Sequence, residues 1–71
     1  MTKAQAIAEA AINAEQIARD IVRAELEDNY FLADMLRPRL REANKRRRLL
    51  GLPAVRATQH WYFDQGGNGS K

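Results

Sequence analysis

The segment KAQAIAEAAINAEQIARDIVRAELE, residues 3–27, has the composition of one long α-helix. It contains neither glycine nor proline, and it is rich in alanine, the residue with the highest helix propensity. Thr2 precedes it as a candidate N-cap, and Gln5, three positions later, completes a capping-box pattern. We therefore predict a continuous helix here, as the longest element of an all-α protein.

The apolar side chains of this helix cover more than one side. Its polar residues recur every three or four positions and form a single stripe. Opposite them runs a seam of apolar residues with the a/d spacing of a coiled coil: Ile7, Ala10, Ala14, Ile17, Ile21 and Ala24. This seam has two possible uses, as the core of a three-helix monomer or as a contact between subunits. We favour the contact between subunits, because so short a chain leaves part of this surface uncovered.

The chain after residue 29 predicts two shorter helices and a tail. Residues 30–36 form a short middle helix whose large apolar side chains we expect to be packed. Pro38 disfavours helical conformation at the residue before it, so we expect a kink there and a basic third helix over residues 38–50. Gly51 and Pro53 end that helix. Residues 57–71 follow as an extended tail, aromatic and then glycine-rich, outside a single domain of residues 1–56.

Charge is distributed unevenly along the chain. Its net charge is +3, but residues 1–36 contain seven acids and three bases, whereas residues 37–56 contain eight bases and one acid. The eight bases form the predicted partner-binding patch: Arg37, Arg39, Arg41, Lys45, Arg46, Arg47, Arg48 and Arg56. One of them, Arg47, falls anomalously on the apolar face of the predicted third helix.

Three interpretations of this basic patch remain open. Nucleic acid binds such a patch favourably, because bases that neutralise phosphates release the counterions condensed on them. An acidic protein surface also attracts such a patch. The third interpretation is a solvated face, since basic residues also stabilise the C-terminal end of a helix dipole. A helix-turn-helix reader fits poorly, because neither predicted helix junction contains the glycine typical of its turn.

An aromatic cluster, Trp61, Tyr62 and Phe63, opens the tail. Aromatic side chains stack on the bases of single strands, and they also anchor protein interfaces by filling pockets of the partner. The third interpretation is that the cluster folds back to cap the helices. The sequence leaves these three uses open.

Catalysis, cofactors and metals have no candidate residues. There is no cysteine, which excludes disulfides and fits a reducing compartment. His60 is the only histidine, too few ligands for structural zinc. Ser70, the only serine, lies in a glycine-rich end that lacks the following helix of a phosphate loop. We therefore expect no enzyme, no cofactor, no metal and no small-molecule substrate. A membrane span needs a run of about 20 apolar residues, and this sequence contains none, so we expect no membrane span.

These features together predict a protein that acts by assembly. A domain of 71 residues buries only about 60% of its unfolded surface, so oligomerisation or docking is the expected supplement to its core. We expect a structural or adaptor protein, a homo-oligomer or a neighbour of other subunits. Its Ala/Ile face would pack in the complex and its basic helix would face nucleic acid or an acidic partner.

The sequence also predicts where the protein works, and it leaves two alternative functions open. A coiled-coil half followed by a short basic helical module is similar in layout to small phage-encoded proteins. Because the sequence shows no export signal and no membrane span, we expect the cytoplasm, or the virion if the chain is phage-encoded. One alternative is a small DNA- or RNA-binding regulator that uses the arginine-rich helix. The other is an inhibitor-like protein that masks an acidic partner surface.

Overall fold

The computed structural model describes residues 2–64, which form an antiparallel pair of long helices and one short helix. Helix α1 covers Lys3–Leu26, α2 covers Tyr30–Leu49 and α3 covers Gln59–Asp64. The described residues contain no strand. This confirms the all-α prediction and its long N-terminal helix.

The capping box predicted at the start of α1 is present. The backbone N–H of Gln5 donates to Thr2 Oγ1 at 3.1 Å, and the backbone N–H of Thr2 donates to Gln5 Oε1 at 2.9 Å. Both bonds satisfy amide groups that have no partner inside the helix, which fixes where α1 begins.

A short turn reverses the chain between α1 and α2. Asp28 adopts a left-handed φ of 60°, which lets the backbone N–H of Asn29 donate to the Ala24 carbonyl oxygen at 2.7 Å. The Asn29 side chain then caps α2 by accepting from the backbone N–H of Leu32 at 3.3 Å. Asn29 thus closes one helix and opens the next, which sets α2 antiparallel to α1.

Helix α2 runs through Pro38 without interruption. The predicted middle helix and third helix are therefore one helix, and the prediction of a break at Pro38 is wrong. Pro38 is exposed; its missing N–H and the clash of its ring with the preceding turn together cost about 3 kcal/mol. Ala33 before it and Leu40 after it are both buried against the rest of the chain, so packing on either side of the proline holds the helix together.

The end of α2 lies where the sequence predicted it. Gly51 has a φ of 85°, a conformation that glycine adopts at little cost, and the backbone N–H of Leu52 donates to the Arg47 carbonyl oxygen at 2.8 Å. A connector, residues 52–58, then leads to α3. Residues 59–64 are predicted from the sequence to be extended, but they form helix α3. The glycine-rich part of the predicted tail, residues 65–71, lies outside the described residues.

The core is thin and built mainly from alanine. Its members are the buried residues Ala14, Ala18, Ile21, Ala24, Ala33, Leu40, Ala43 and Val55. Ala57 and Trp61, both within the predicted tail, pack against this core. Small side chains let the two helix axes approach closely, and the described part of the chain measures only 17 Å in its shortest dimension. Few large side chains are enclosed, so stability depends on the polar contacts that fix the connector.

Candidate partner-binding surfaces

The predicted helix-packing seam is the contact between α1 and the rest of its own chain. Ala10, Ala14, Ile21 and Ala24 are buried, and Ile17 packs against the core from its edge. Ile7, the first residue of the seam, is half-buried. Helix α1 packs along the unbroken α2, so the four buried members of the seam are already covered within the chain.

Arg47 is predicted from the sequence to belong to the basic patch, but it does not lie on the surface. Its side chain is only 6% exposed. Arg47 Nε donates to the Pro53 carbonyl oxygen at 2.7 Å, and Nη1 donates to the Ala11 carbonyl oxygen at 3.2 Å. The guanidinium thus joins α2, the connector and α1. Its position on the apolar face of α2 was the signal in the sequence, because an arginine there must find acceptors inside the fold.

Arg37 is also held by contacts inside the chain and does not contribute a free charge to the predicted patch. Its guanidinium forms ion pairs with Glu25 at the end of α1 and with Asp34 one turn earlier in α2. Hydrogen bonds to these two carboxylates, Glu25 first, raise the pKa of Arg37 above its already high usual value. The pairs are partly exposed and stabilise the fold by about 1 kcal/mol or less. They neutralise Arg37 near the turn between the two long helices.

The other six predicted bases are exposed and form no ion pair with any residue in the 2–64 range. We call this set the basic surface: Arg39, Arg41, Lys45, Arg46, Arg48 and Arg56. Residues 45–56 contain five bases and no acid, whereas residues 25–34 contain four acids and no base. Because α2 is about 30 Å long, these two groups lie at opposite ends of it. The fold thus turns the uneven charge of the sequence into a dipole in space.

Part of the basic surface lines an open groove between the two long helices. Arg39, Lys45 and Arg46 lie on the α2 side of this groove, and Asn13 and Ile17 lie on the α1 side. The groove is shallow and open to solvent, unlike the enclosed, mainly apolar clefts that hold small molecules. Its shape suits contact with another macromolecule.

Several large apolar side chains remain exposed. Phe31 is 78% exposed and Leu49 is 80% exposed. The others share this exposure to a lesser degree: Ile12, Leu26, Tyr30, Leu32, Met35 and Phe63. From the sequence, the large apolar side chains of residues 30–36 are predicted to be packed. Only Ala33 and Leu36 face the core, because only every third or fourth residue of a helix points to the same neighbour.

The aromatic cluster is divided between the core and the surface. Trp61 packs against the core, Tyr62 is half-buried, and Phe63 is exposed. The rings of Tyr62 and Phe63 contact each other edge to face, with centroids 5.2 Å apart. The backbone N–H of Trp61 donates to Thr58 Oγ1 at 3.1 Å, so Thr58 caps the start of the helix that carries all three residues. Trp61 therefore lies as the folding-back interpretation expects.

Among residues 2–64, no three acidic or histidine side chains converge as a metal site. In the same range, no helix combines the length and the apolar character needed to cross a bilayer.

The phenol of Tyr30 donates a hydrogen bond to Asp28 Oδ1 at 3.3 Å, and the charge of this neighbouring carboxylate raises the pKa of the phenol.

The chain was compared with models of protein families, with curated proteins and with solved structures, and nothing matches it.

Proposed function

We propose that this chain is a non-enzymatic adaptor that joins a larger assembly, with its basic surface docked on an acidic partner. The observation that carries the proposal is the state of the six bases of that surface. They are exposed and have no acidic partner among residues 2–64, whereas Arg37 and Arg47 are held by contacts inside the chain. Glu42 is the one acid among residues 37–56, so this surface keeps an excess of positive charge. Like charges repel each other, and an oppositely charged partner relieves that repulsion.

The apolar neighbours of the basic surface favour a protein as the partner. Leu49 lies one turn after Lys45 and Arg46 and is almost fully exposed, and Ile12 of α1 lies beside Arg46. Apolar side chains among arginines are typical of protein interfaces, whose centres are apolar and whose rims are charged. A phosphate backbone offers such side chains nothing to contact. A virion of a phage is one setting in which such an adaptor would work.

The second candidate is a small DNA- or RNA-binding regulator, and the basic surface itself favours it. Arg41 and Arg48 are seven residues apart, two turns of helix, so they lie on one side of α2. Their positions are about 10 Å apart along the helix axis, a length that spans about three phosphates at an axial spacing of about 3.4 Å along one strand. An inhibitor-like protein that masks an acidic surface would use the same side chains.

The distinguishing experiment measures solution mass by light scattering, with and without a generic DNA duplex, at low and moderate salt. The adaptor proposal expects a mass that does not change with duplex at moderate salt. A mass increase that persists at moderate salt, and that the Arg41→Gln, Arg48→Gln double variant abolishes, would establish nucleic-acid binding and displace the adaptor function.

The matched control removes the same charge elsewhere. Arg19 and Arg23 lie on α1, so the Arg19→Gln, Arg23→Gln double variant loses two positive charges without touching the basic surface. Arg47 stays unchanged in every variant, because its guanidinium holds the fold together. Equal loss of duplex binding in both double variants would mean that net charge alone is responsible.

A further inference from the structure

We propose that two copies of this chain pair antiparallel along the exposed side of α2, with Phe31 of each copy against Leu49 of the other. This inference rests on the proposal that the chain acts by assembly, and it names the surface and the partner. It is carried by where the two most exposed apolar side chains lie and by the charges around each of them.

Phe31 and Leu49 lie on the same side of α2. They are 18 residues apart, which is five complete turns, so both point in one direction at an axial separation of about 27 Å. They are 78% and 80% exposed, the highest values among the large apolar residues described. Two such anchors on one helix face fit a partner that presents two anchors at the same separation. A second copy of α2 turned end for end does so.

The same face carries a heptad pattern between the two anchors. Its residues are exposed and separated alternately by four and three positions: Phe31, Met35, Pro38, Glu42, Lys45 and Leu49. This is the spacing by which one helix packs along another. Pro38 and the charged positions in the middle weaken such a contact, so we expect a pair that dissociates on dilution.

Charge favours the antiparallel orientation. Phe31 lies in the acidic stretch of residues 25–34, and Leu49 lies in the basic stretch of residues 45–56. When Phe31 of one copy is level with Leu49 of the other, Asp34 is level with Arg46 of the second copy, and Lys45 lies only about 1.5 Å further along the axis. Glu42 is level with Pro38 of that copy and lies one residue from the level of Arg39. Parallel pairing would place each charged end against its own kind, which costs free energy.

The pair would cover Leu49 and use Lys45 and Arg39, but it leaves other bases free for the proposed partner, with Ile12 beside Arg46 as their exposed apolar neighbour. Arg41 and Arg48 lie about a quarter of a turn away from the heptad stripe. Their guanidinium groups therefore stay exposed beside the contact. A closed pair with two identical contacts also has no free end from which longer chains could grow.

A charge-swap experiment tests the pairing. Sedimentation equilibrium of the full chain, over a range of concentrations at low salt, should show a reversible dimer. Asp34→Lys and Lys45→Asp should each weaken it by about tenfold or more, because each swap sets like charges together at both contacts. An equimolar mixture of the two variants should restore the dimer, since both contacts then join opposite charges.

Swaps of the same kind on α1 provide the control. Asp20 and Arg23 are exposed on α1, away from the α2 stripe, so Asp20→Lys and Arg23→Asp should leave the dimer unchanged, alone or mixed. All four variants change exposed residues. Asp34→Lys also removes the ion pair with Arg37 in the same helix, so circular dichroism checks that each variant is folded.

Three outcomes would overturn the pairing. They are a chain that stays monomeric at every concentration, open-ended growth in mass, and a mixture of the α2 variants that remains monomeric. The adaptor function would survive each of them if the basic surface still bound an acidic protein. The two proposals can therefore fail separately.

Discussion

The guanidinium of Arg47 donates a hydrogen bond to the carbonyl oxygen of Ala11, 36 residues earlier in the chain, at 3.2 Å. The same group donates to the Pro53 carbonyl oxygen at 2.7 Å. A helical carbonyl such as that of Ala11 can accept a second bond, because its oxygen has two lone pairs. One buried cation therefore fixes how far α2 slides along α1 and where the connector crosses them.

Replacing Arg47 by lysine should lower the free energy of unfolding by about 2 kcal/mol. Lysine keeps the charge, but its single nitrogen cannot reproduce the two directed bonds, and a buried hydrogen bond from a charged group is worth about 1.5–3 kcal/mol. Urea unfolding followed by circular dichroism measures the change. Arg48→Lys, next to it and exposed, is the control and should stay within about 0.5 kcal/mol of the original chain.

Asn44 clamps the connector from the middle of α2. Its Nδ2 donates to the Val55 carbonyl oxygen and its Oδ1 accepts from the Val55 N–H, both at 2.9 Å. Asn44→Ala should destabilise the chain by about 2 kcal/mol, from two lost bonds of about 1 kcal/mol each. It should also speed hydrogen exchange at the Val55 amide. Unchanged exchange at Val55 would show that burial of its side chain alone holds the connector.

Pro38 makes α2 less stable than its length allows. Pro38→Ala restores an N–H that can donate within the helix and removes the ring, so it should raise the free energy of unfolding by about 1–3 kcal/mol. The exposed position means that no core contact is lost. Chemical denaturation of this variant beside Arg39→Ala, an exposed neighbour, gives the comparison. Destabilisation by Pro38→Ala would mean that the proline shapes α2 in a way that packing needs.

Tyr30 should ionise at a higher pH than an ordinary phenol. The charge of Asp28 raises its pKa, followed by the hydrogen bond between the two side chains. Asp28→Asn should therefore lower this pKa toward the ordinary value of about 10. Ultraviolet absorbance of the phenolate follows the titration, with Tyr62 as the second chromophore. An identical titration in both chains would exclude the Asp28 contact in solution.

The same shift has a defined effect on stability. Because the pKa of Tyr30 is higher in the folded chain, the folded state holds its proton more tightly than the unfolded state. The contribution is complete below the pKa of the unfolded phenol and is lost as pH rises through the folded value. Asp28→Asn should make the decline of stability at alkaline pH less steep. The residue is exposed, so the effect is small.

Local sequence signals identified the ends of the elements. The capping box at Thr2 and the stop at Gly51 are present as predicted, because each depends on residues within a few positions of it. The helical class and the long first helix also follow from composition and spacing. The functional part of the prediction, an adaptor with a basic partner surface, stays a prediction with the experiments given above.

Contacts between distant residues decided what local signals did not. Pro38 reads locally as a break, yet burial of Ala33 and Leu40 on either side keeps α2 continuous. The tail reads locally as extended, yet packing of Trp61 on the core accompanies a helix there. Arg47 reads as one more surface base, but only the meeting of α1, α2 and the connector supplies its acceptors. Propensity acts within one turn of helix, whereas burial and buried hydrogen bonds depend on which segments meet, and those were settled by the fold.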